Sequence, residues 1–183
     1  ADRPGDPRHN FVPLGQTAVT VTLRPARTGD VRDIRRLVDL YAPDRRLLSK
    51  ATVTLFEDVQ EFVVAELDGR PVGCGALHVM WEDLAEIRTL AVDPAYLRRG
   101  IGGQVLETLI ERGRALDVSR IFCLTFEIDF FTRYGFEILS EPAVEPEVYA
   151  ELLQSEDEGV AEFLDLERVK PNTLGNARLL LRL

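Results

Sequence analysis

The run Glu86-Ile87-Arg88-Thr89-Leu90-Ala91-Val92-Asp93-Pro94-Ala95-Tyr96-Leu97-Arg98-Arg99-Gly100-Ile101-Gly102-Gly103 reads as a strand, a proline-containing loop and a glycine turn that opens a helix. Its first half is rich in aliphatic and β-branched residues and alternates as a strand does. Pro94 cannot extend a ladder, and Gly100, Gly102 and Gly103 let main-chain N–H groups approach an anion closely. From Gln104 to Leu116 the apolar residues Val105, Leu106, Leu109, Ile110, Ala115 and Leu116 recur every three to four positions, the pattern of an amphipathic helix packed on a sheet. The unpaired N–H groups and positive dipole end of that helix, with Arg98 and Arg99 just before it, favour phosphate oxygens. Because side chains on a strand alternate, Glu86 and Arg88 are expected to share one face, with Leu90 and Val92 following on the same face.

Of two known phosphate-binding patterns, one fails and the other matches weakly. An NTPase loop needs Lys and then Ser or Thr after its last glycine, whereas Gln104-Val105 follows Gly103. A dinucleotide fingerprint needs a third glycine where this chain has Val105, and a tighter strand-to-turn junction than the Pro94 loop allows. The bland alternative is a glycine-rich turn that caps an ordinary surface helix.

Downstream, Ile121-Phe122-Cys123-Leu124-Thr125-Phe126-Glu127 reads as a strand, followed by a short helix over Phe130-Phe131-Thr132-Arg133-Tyr134 closed by Gly135, and by another strand at Phe136-Glu137-Ile138. Upstream, Glu61 to Glu66 and Val72 to His78 flank Asp68-Gly69, a hairpin signal. Earlier still, Asp30 is placed to cap a helix from Val31 to Tyr41, with Val31, Ile34, Leu37, Val38 and Tyr41 on one stripe. A short helix is expected around Thr52 to Val59. Residues 1–18, with no sustained periodicity, read as a flexible arm, and residues 19–183 as a single domain that begins near Val19.

The chain carries a formal charge of −9 and a pI near 4.8, which argues against a nucleic-acid partner because phosphate backbones demand clustered Lys and Arg. No apolar run reaches the roughly 18 residues of a membrane span, and the start of the chain lacks an apolar signal core; the expected location is cytoplasmic. Cys74 and Cys123 both lie in apolar strand patterns and are read as packing residues. No Cys/His spacing resembles a zinc site, so no metal is expected.

The strand, the turn Leu97-Arg98-Arg99-Gly100-Ile101-Gly102 and the helix resemble motif A of the GCN5-related acetyltransferases, and Phe130 to Ile138 resembles their motif B. Leu97 stands where the family usually has Gln or Arg, which degrades the side-chain part of the motif and leaves its backbone part intact. The resemblance implies an α/β (α+β) fold with a mixed, mostly antiparallel central sheet flanked by helices and a splayed strand pair at the cofactor site. It implies acetyl-coenzyme A as co-substrate, held by Leu90, Ala91, Val92, Arg98, Arg99, Gly100, Ile101, Gly102, Gly103 and Phe131. The chemistry then needs a base for the incoming ammonium, for which Glu86 is the candidate directly or through water, and a donor to the thioester oxygen, for which the Val92 N–H is the candidate. Many relatives place a tyrosine acid on the motif B helix; the matching position here is Phe131, and Tyr134, one turn later, reads as a packing residue. Glu86 and Arg88 also have a plain alternative as a structural ion pair.

The runs Leu47-Leu48-Ser49-Lys50, Val72 to His78, Ala85 to Pro94, Ile121 to Thr125 and the tail from Val160 through Lys170, Asn172, Gly175 and Asn176 to Arg178 resemble the acetyltransferase domain of bacterial N-acetylglutamate synthases, in the short actinobacterial form. That narrower resemblance implies acetyl transfer to the α-amino group of glutamate, or of glutamine as a near relative, in arginine biosynthesis. Lys50, Arg88 and Lys170 are then candidates for substrate carboxylates, and Asn172 and Asn176 for the side-chain end, each with an ordinary alternative as a solvated loop residue. His78 reads as a partly buried strand residue. The sequence does not fix the oligomeric state; exposed strand edges in such a fold often pair, so a homodimer is one candidate assembly. Long members carry an arginine-binding kinase-like domain for which these residues leave no room, so feedback through it is not expected. Two alternatives stand: an acetyltransferase for another small amine or a protein N-terminus, and a non-catalytic acetyl-coenzyme A sensor.

Overall fold

The computed structural model describes residues 20–43, 50–140, 144–164, 166 and 176–183. The expected arm over 1–18, the run Leu47-Leu48-Ser49, and the candidates Lys170 and Asn172 lie outside the described residues.

Seven strands form one sheet in the order β1-β2-β3-β4-β5-β7-β6. β1 (Thr22–Pro25), β2 (Phe62–Leu67), β3 (Arg70–Trp81) and β4 (Leu84–Val92) are antiparallel neighbours. The β2–β3 turn has positive φ at both Asp68 (50°) and Gly69 (77°), as a two-residue hairpin with right-handed strand twist requires. β5 (Arg120–Thr125) runs parallel to β4, and β7 (Ala177–Arg182) lies antiparallel between β5 and β6 (Glu137–Ile138).

Helices cover both faces. On one, α3 (Ile101–Ala115) buries Ile101, Val105, Leu106 and Leu109 against Ala85, Ile87, Ile121 and Cys123, with α4 (Ile128–Thr132) beside it. On the other, α1 (Val31–Asp39) and α2 (Thr52–Glu57) cover Val64, Cys74, Ala76 and Ala91. Further along that face α5 (Pro146–Leu152) and α6 (Glu158–Phe163) cover Leu84, Phe122 and Leu180. The second face therefore carries two apolar clusters, one under each helix pair.

Two local features of β4 decide where a ligand can enter. β4 and β5 are paired only from Leu84↔Arg120 to Ile87↔Cys123; beyond that β4 continues beside β3 to Val92, and β5 continues beside β7 to Thr125. The parallel pair is thus splayed, as expected. The second is a bulge: opposite Cys74 to Ala76 on β3, β4 runs from Ala91 to Arg88, one residue more than its partner, and Thr89 takes φ of +58°.

The bulge overturns the expected alternation. Glu86 and Arg88 do share a face, but Leu90 and Val92 do not follow on it. Leu90 lies toward α3, where a Cβ on Gly75 would meet Leu109 Cδ1 at 2.8 Å and Leu90 Cδ1 at 3.1 Å, while Ala91 takes the α1 face. One inserted residue shifts the phase of everything after it. The N-cap assigned to Asp30 is likewise corrected. Asp30 makes no cap hydrogen bond to α1; its carboxylate accepts from the Arg27 N–H at 2.7 Å and from Arg24 at 2.7 and 2.9 Å, because a 3₁₀ turn over Thr28–Asp30 precedes the helix. α1 also ends at Asp39, and Tyr41, in the turn beyond, donates its hydroxyl hydrogen bond to the Val92 carbonyl.

Candidate active site

The splay opens at the N-terminus of α3. Gly100 caps that helix at φ +79°, a left-handed conformation that suits glycine, and Arg98 before it is also left-handed at φ +62°. Among the described residues no side chain caps α3, and its first turn has no acidic residue, so its first N–H groups and dipole end suit an anion, with Arg98 exposed and Arg99 half-buried over the Tyr96 ring. The protein itself does not demand glycine at 102: a Cβ there would sit at ordinary contact distance, 3.6 Å from Val92 Cγ2 and 3.7 Å from Phe130. Close approach of a ligand remains as a reason for it. Gly103 has a packing reason of its own, because a Cβ there would collide with the Tyr134 hydroxyl.

Phe131 is 5% exposed and packs edge-on against Phe136 at 5.2 Å in the core cluster beneath α3. Phe130, half-buried and near Gly102, stands closer to the turn. Tyr134 is tilted against Phe130 at 5.3 Å, and burial pushes its phenol upward.

At the end of β4 the Asp93 N–H donates to the Val72 carbonyl at 2.8 Å. Antiparallel ladders alternate, so the preceding residue, Val92, turns its N–H and C=O away from β3. The Tyr41 bond to the Val92 carbonyl agrees with that phase. Since β5 is not paired with β4 here, the Val92 N–H lies on the open side of the strand, whereas Ala91 lies in the phase that faces β3.

Between the two apolar clusters of the second face lies a buried polar cluster. Glu86 is 6% exposed, and its Oε2 accepts from Arg88 Nη2 at 2.6 Å and Nε at 3.0 Å. The other edge of the guanidinium is taken by Asp157, at 3.1 Å from Nη1 and 3.0 Å from Nη2. Asp157 also accepts from the Val160 N–H at 3.1 Å, so it caps the start of α6 while it holds Arg88. Two positions on, Gly159 lies so close that a Cβ would overlap the Glu86 carboxylate and come within 2.8 Å of Arg88 Nη2. Directly opposite Glu86 on β3 is His78, whose Nδ1 lies 2.7 Å from Glu61 Oε1 and whose Nε2 lies 3.8 Å from Asp157 Oδ2. Burial raises the Glu86 carboxyl above its usual range, with Arg88 pulling the other way. Burial would raise Asp157 too, but the hydrogen bonds and charge of Arg88 outweigh it and hold that carboxyl low.

The remaining sequence candidates are spread around this cluster. Lys50 donates to Asp58 at 3.3 Å, and no contact among the described residues joins it to Arg88. Asn176 lies at the start of β7, and its buried Oδ1 has no hydrogen-bond partner among the described residues. Cys74 and Cys123 are buried thiols, the former pushed up to about 12 by burial. Glu61, Asp157 and Gly159 were not singled out in the sequence. The only local sign of Asp157 is an acidic residue three places before Val160, which is the spacing of a helix cap. A cavity of about 600 Å³ lined by Trp81, Asp83, Arg120 and Val148 lies at the opposite end of β4 from the bulge, away from this chemistry.

Residues 32–136 match the model of the acetyltransferase (GNAT) family. Over 162 residues, 87% of this chain and 92% of the relative, the sequence is 55% identical to a protein of Mycobacterium tuberculosis named amino-acid acetyltransferase. A crystal structure from the same organism, in complex with CoA and NLQ, superposes with a TM-score of 0.85 over 88% of this chain and 99% of that one, at 55% identity. N-acetylglutamate synthase from Neisseria gonorrhoeae, complexed with coenzyme A and N-acetyl-glutamate, superposes with a TM-score of 0.72 at 26% identity, over 90% of this chain and 35% of that one. The splay, the bare helix end with its glycine turn and these matches agree: the chain belongs to the acetyltransferase (GNAT) family.

Proposed function

We propose that this protein transfers the acetyl group of acetyl-coenzyme A to the α-amino group of glutamate, with glutamine as the near alternative. The observation that carries the reading is the splayed β4–β5 pair beside an uncapped α3, in a chain 55% identical to a named amino-acid acetyltransferase along nearly the whole of both. Coenzyme A supplies the activated acetyl group as a thioester. The N–H groups of Gly100, Ile101, Gly102 and Gly103 hold its pyrophosphate, with Arg98 and Arg99 as charge partners. Leu90, Ala91 and Val92 form the wall of the splay, and the Val92 N–H is the donor to the developing oxyanion.

On the other face Glu86 serves as base, directly or through water. Burial raises its carboxyl, against the pull of Arg88, which makes its carboxylate a stronger base than a free one. Arg88 already balances two carboxylates, so its part is to hold Glu86 and Asp157 in place as much as to meet a substrate carboxylate. Lys50 and Asn176 are left for the carboxylate and side-chain ends, with Asn176 Oδ1, unpartnered among the described residues, as a ready acceptor for a donor such as a carboxamide. Lys170 and Asn172 complete the proposed set.

The test mixes the protein, acetyl-coenzyme A and single amines and follows thiol release. Release with glutamate or glutamine, and none with aminoglycosides or peptides, is the expected result. Release only with another amine refutes the substrate, and tight cofactor binding with no amine-dependent release favours a sensor.

A further inference from the structure

The corner where β4 gives way to the glycine turn is held by side chains of the α1 region. Val92 turns its carbonyl and its N–H to the same open side of the strand, and the Tyr41 hydroxyl donates to that carbonyl. Asp93, the next residue, is anchored through both its main chain and its carboxylate. Its N–H donates to the Val72 carbonyl at 2.8 Å, its Oδ1 accepts from the Ala95 N–H at 3.0 Å, and its Oδ2 accepts from Arg36 Nη1 at 2.7 Å. Arg36 on α1 also crosses to the neighbouring strand, where Nη2 donates to the Pro71 carbonyl at 3.1 Å, while Nε donates to Asp33 at 3.3 Å. One guanidinium thus ties the start of β3 to the end of β4.

This corner lies between the two ends of the proposed cofactor site. Before it stands the Val92 N–H, the donor to the thioester oxygen; after it come a 3₁₀ turn over Pro94–Tyr96 and the N–H groups of Gly100 to Gly103. A ligand gripped at both ends has its reacting carbon placed only as well as the protein fixes one grip relative to the other. The Arg36–Asp93 pair is partly open to water, with side chains 30% and 20% exposed, so its attraction is screened and its main contribution is geometry. We propose that Arg36 and Tyr41 are positioning residues for the transfer: through Asp93 and the Val92 carbonyl they fix the Val92 N–H relative to the glycine turn, so that the thioester carbonyl meets its donor when the pyrophosphate is in place. This rests on the acetyl-transfer reading and deepens it. Each side chain acts through the main chain of β4.

The experiment measures thiol release with glutamate or glutamine, and calorimetric binding of coenzyme A, in the wild type and in Arg36→Met and Tyr41→Phe, with folding checked by thermal melting. A misplacement of about 1 Å can cost on the order of a hundredfold in rate, so kcat should fall about tenfold or more in Arg36→Met and about threefold or more in Tyr41→Phe, with the Kd of coenzyme A kept within about twofold. Arg24→Met cuts the ion pairs to Asp30 and Glu66 and leaves the corner intact; it controls for a loosened fold and should keep kcat. A matching kcat loss in Arg24→Met, a coenzyme A affinity that falls in step with kcat, or an unchanged kcat in either folded corner variant overturns the proposal. A second readout needs no turnover. The isotope-labelled acetyl carbonyl of bound acetyl-coenzyme A should absorb at higher infrared frequency in the two corner variants than in the wild type, as a weaker hydrogen bond from the Val92 N–H requires. The same frequency in all three overturns the proposal. If the wild type releases thiol with neither glutamate nor glutamine, the substrate reading falls by itself, and the infrared band still decides the role of the corner.

Discussion

At the scale of single residues, the centre of this molecule is an ion pair whose second partner comes from far along the chain. The Arg88 side chain is only 12% exposed, so Glu86 and Asp157 determine whether its desolvation is tolerated; together they outweigh it and raise the guanidinium. Breaking a buried pair leaves an uncompensated charge and costs more than the pair is worth. Asp157→Asn is therefore expected to lower stability by about 1–3 kcal/mol at pH 7, as measured by urea unfolding. The pH dependence has a definite sign. The folded carboxyl of Asp157 lies below its unfolded value, so its contribution is full above that value, about 3.9, and is lost as pH falls through the lower folded one. The gap between wild type and variant should then stay constant from pH 7 to 5 and close as the pH is taken below 4. A gap that widens toward acid would mean that Asp157 does not stabilise the fold through its charge.

At the scale of elements, α3 and the turn that follows α4 fit through a glycine. Gly103 is buried on the first turn of α3, and the space its missing Cβ leaves is occupied by the Tyr134 hydroxyl. Gly103→Ala should cost about 1–3 kcal/mol through overpacking, and most of that should return in the double variant with Tyr134→Phe, which removes the clashing oxygen. A double-mutant cycle with no coupling would show that α4 can move aside. Contacts of this kind separate what was legible in the sequence from what was not. The α3 periodicity, the Asp68-Gly69 hairpin and the Gly100 turn are properties of neighbours in the chain, and each is found where the sequence placed it. The Thr89 bulge is a property of a pair of strands: nothing in Arg88-Thr89-Leu90 states that β3 has one residue fewer to offer. The α4 phenylalanines are a related case, since helical spacing tells that one side of α4 is buried but not which phenylalanine faces the core. Asp157 and Gly159 were out of reach because their role exists only once α6 is laid across β4, which brings Asp157 to Arg88 over a separation of 69 residues.

At the scale of the whole molecule, the sheet divides the work between its faces. α3 and the glycine turn lie on one side, where the proposed pyrophosphate site is, and the Glu86–Arg88–Asp157 cluster lies on the other, between the α1–α2 and α5–α6 clusters. The bulge at Thr89 shifts the phase between them, so that beyond Glu86 and Arg88 it is Leu90 and Val92 that turn toward α3 while Ala91 takes the α1 face. A ligand that enters the splay replaces strand contacts that β4 and β5 do not make, so coenzyme A should stabilise the fold as well as bind it. At a concentration one hundred times its Kd the gain is about 2.7 kcal/mol, or roughly 5–10 °C in Tm for a chain of this size. The acidic net charge of −9 opposes an anionic ligand at long range, and Arg98 and Arg99 oppose that field locally. Replacing both arginines with alanine should therefore shrink the thermal shift without abolishing it, because the main-chain N–H groups at Gly100 to Gly103 remain. An undiminished shift would place the pyrophosphate away from the arginines. A vanished one would mean that side-chain charge, and not the helix end, holds it.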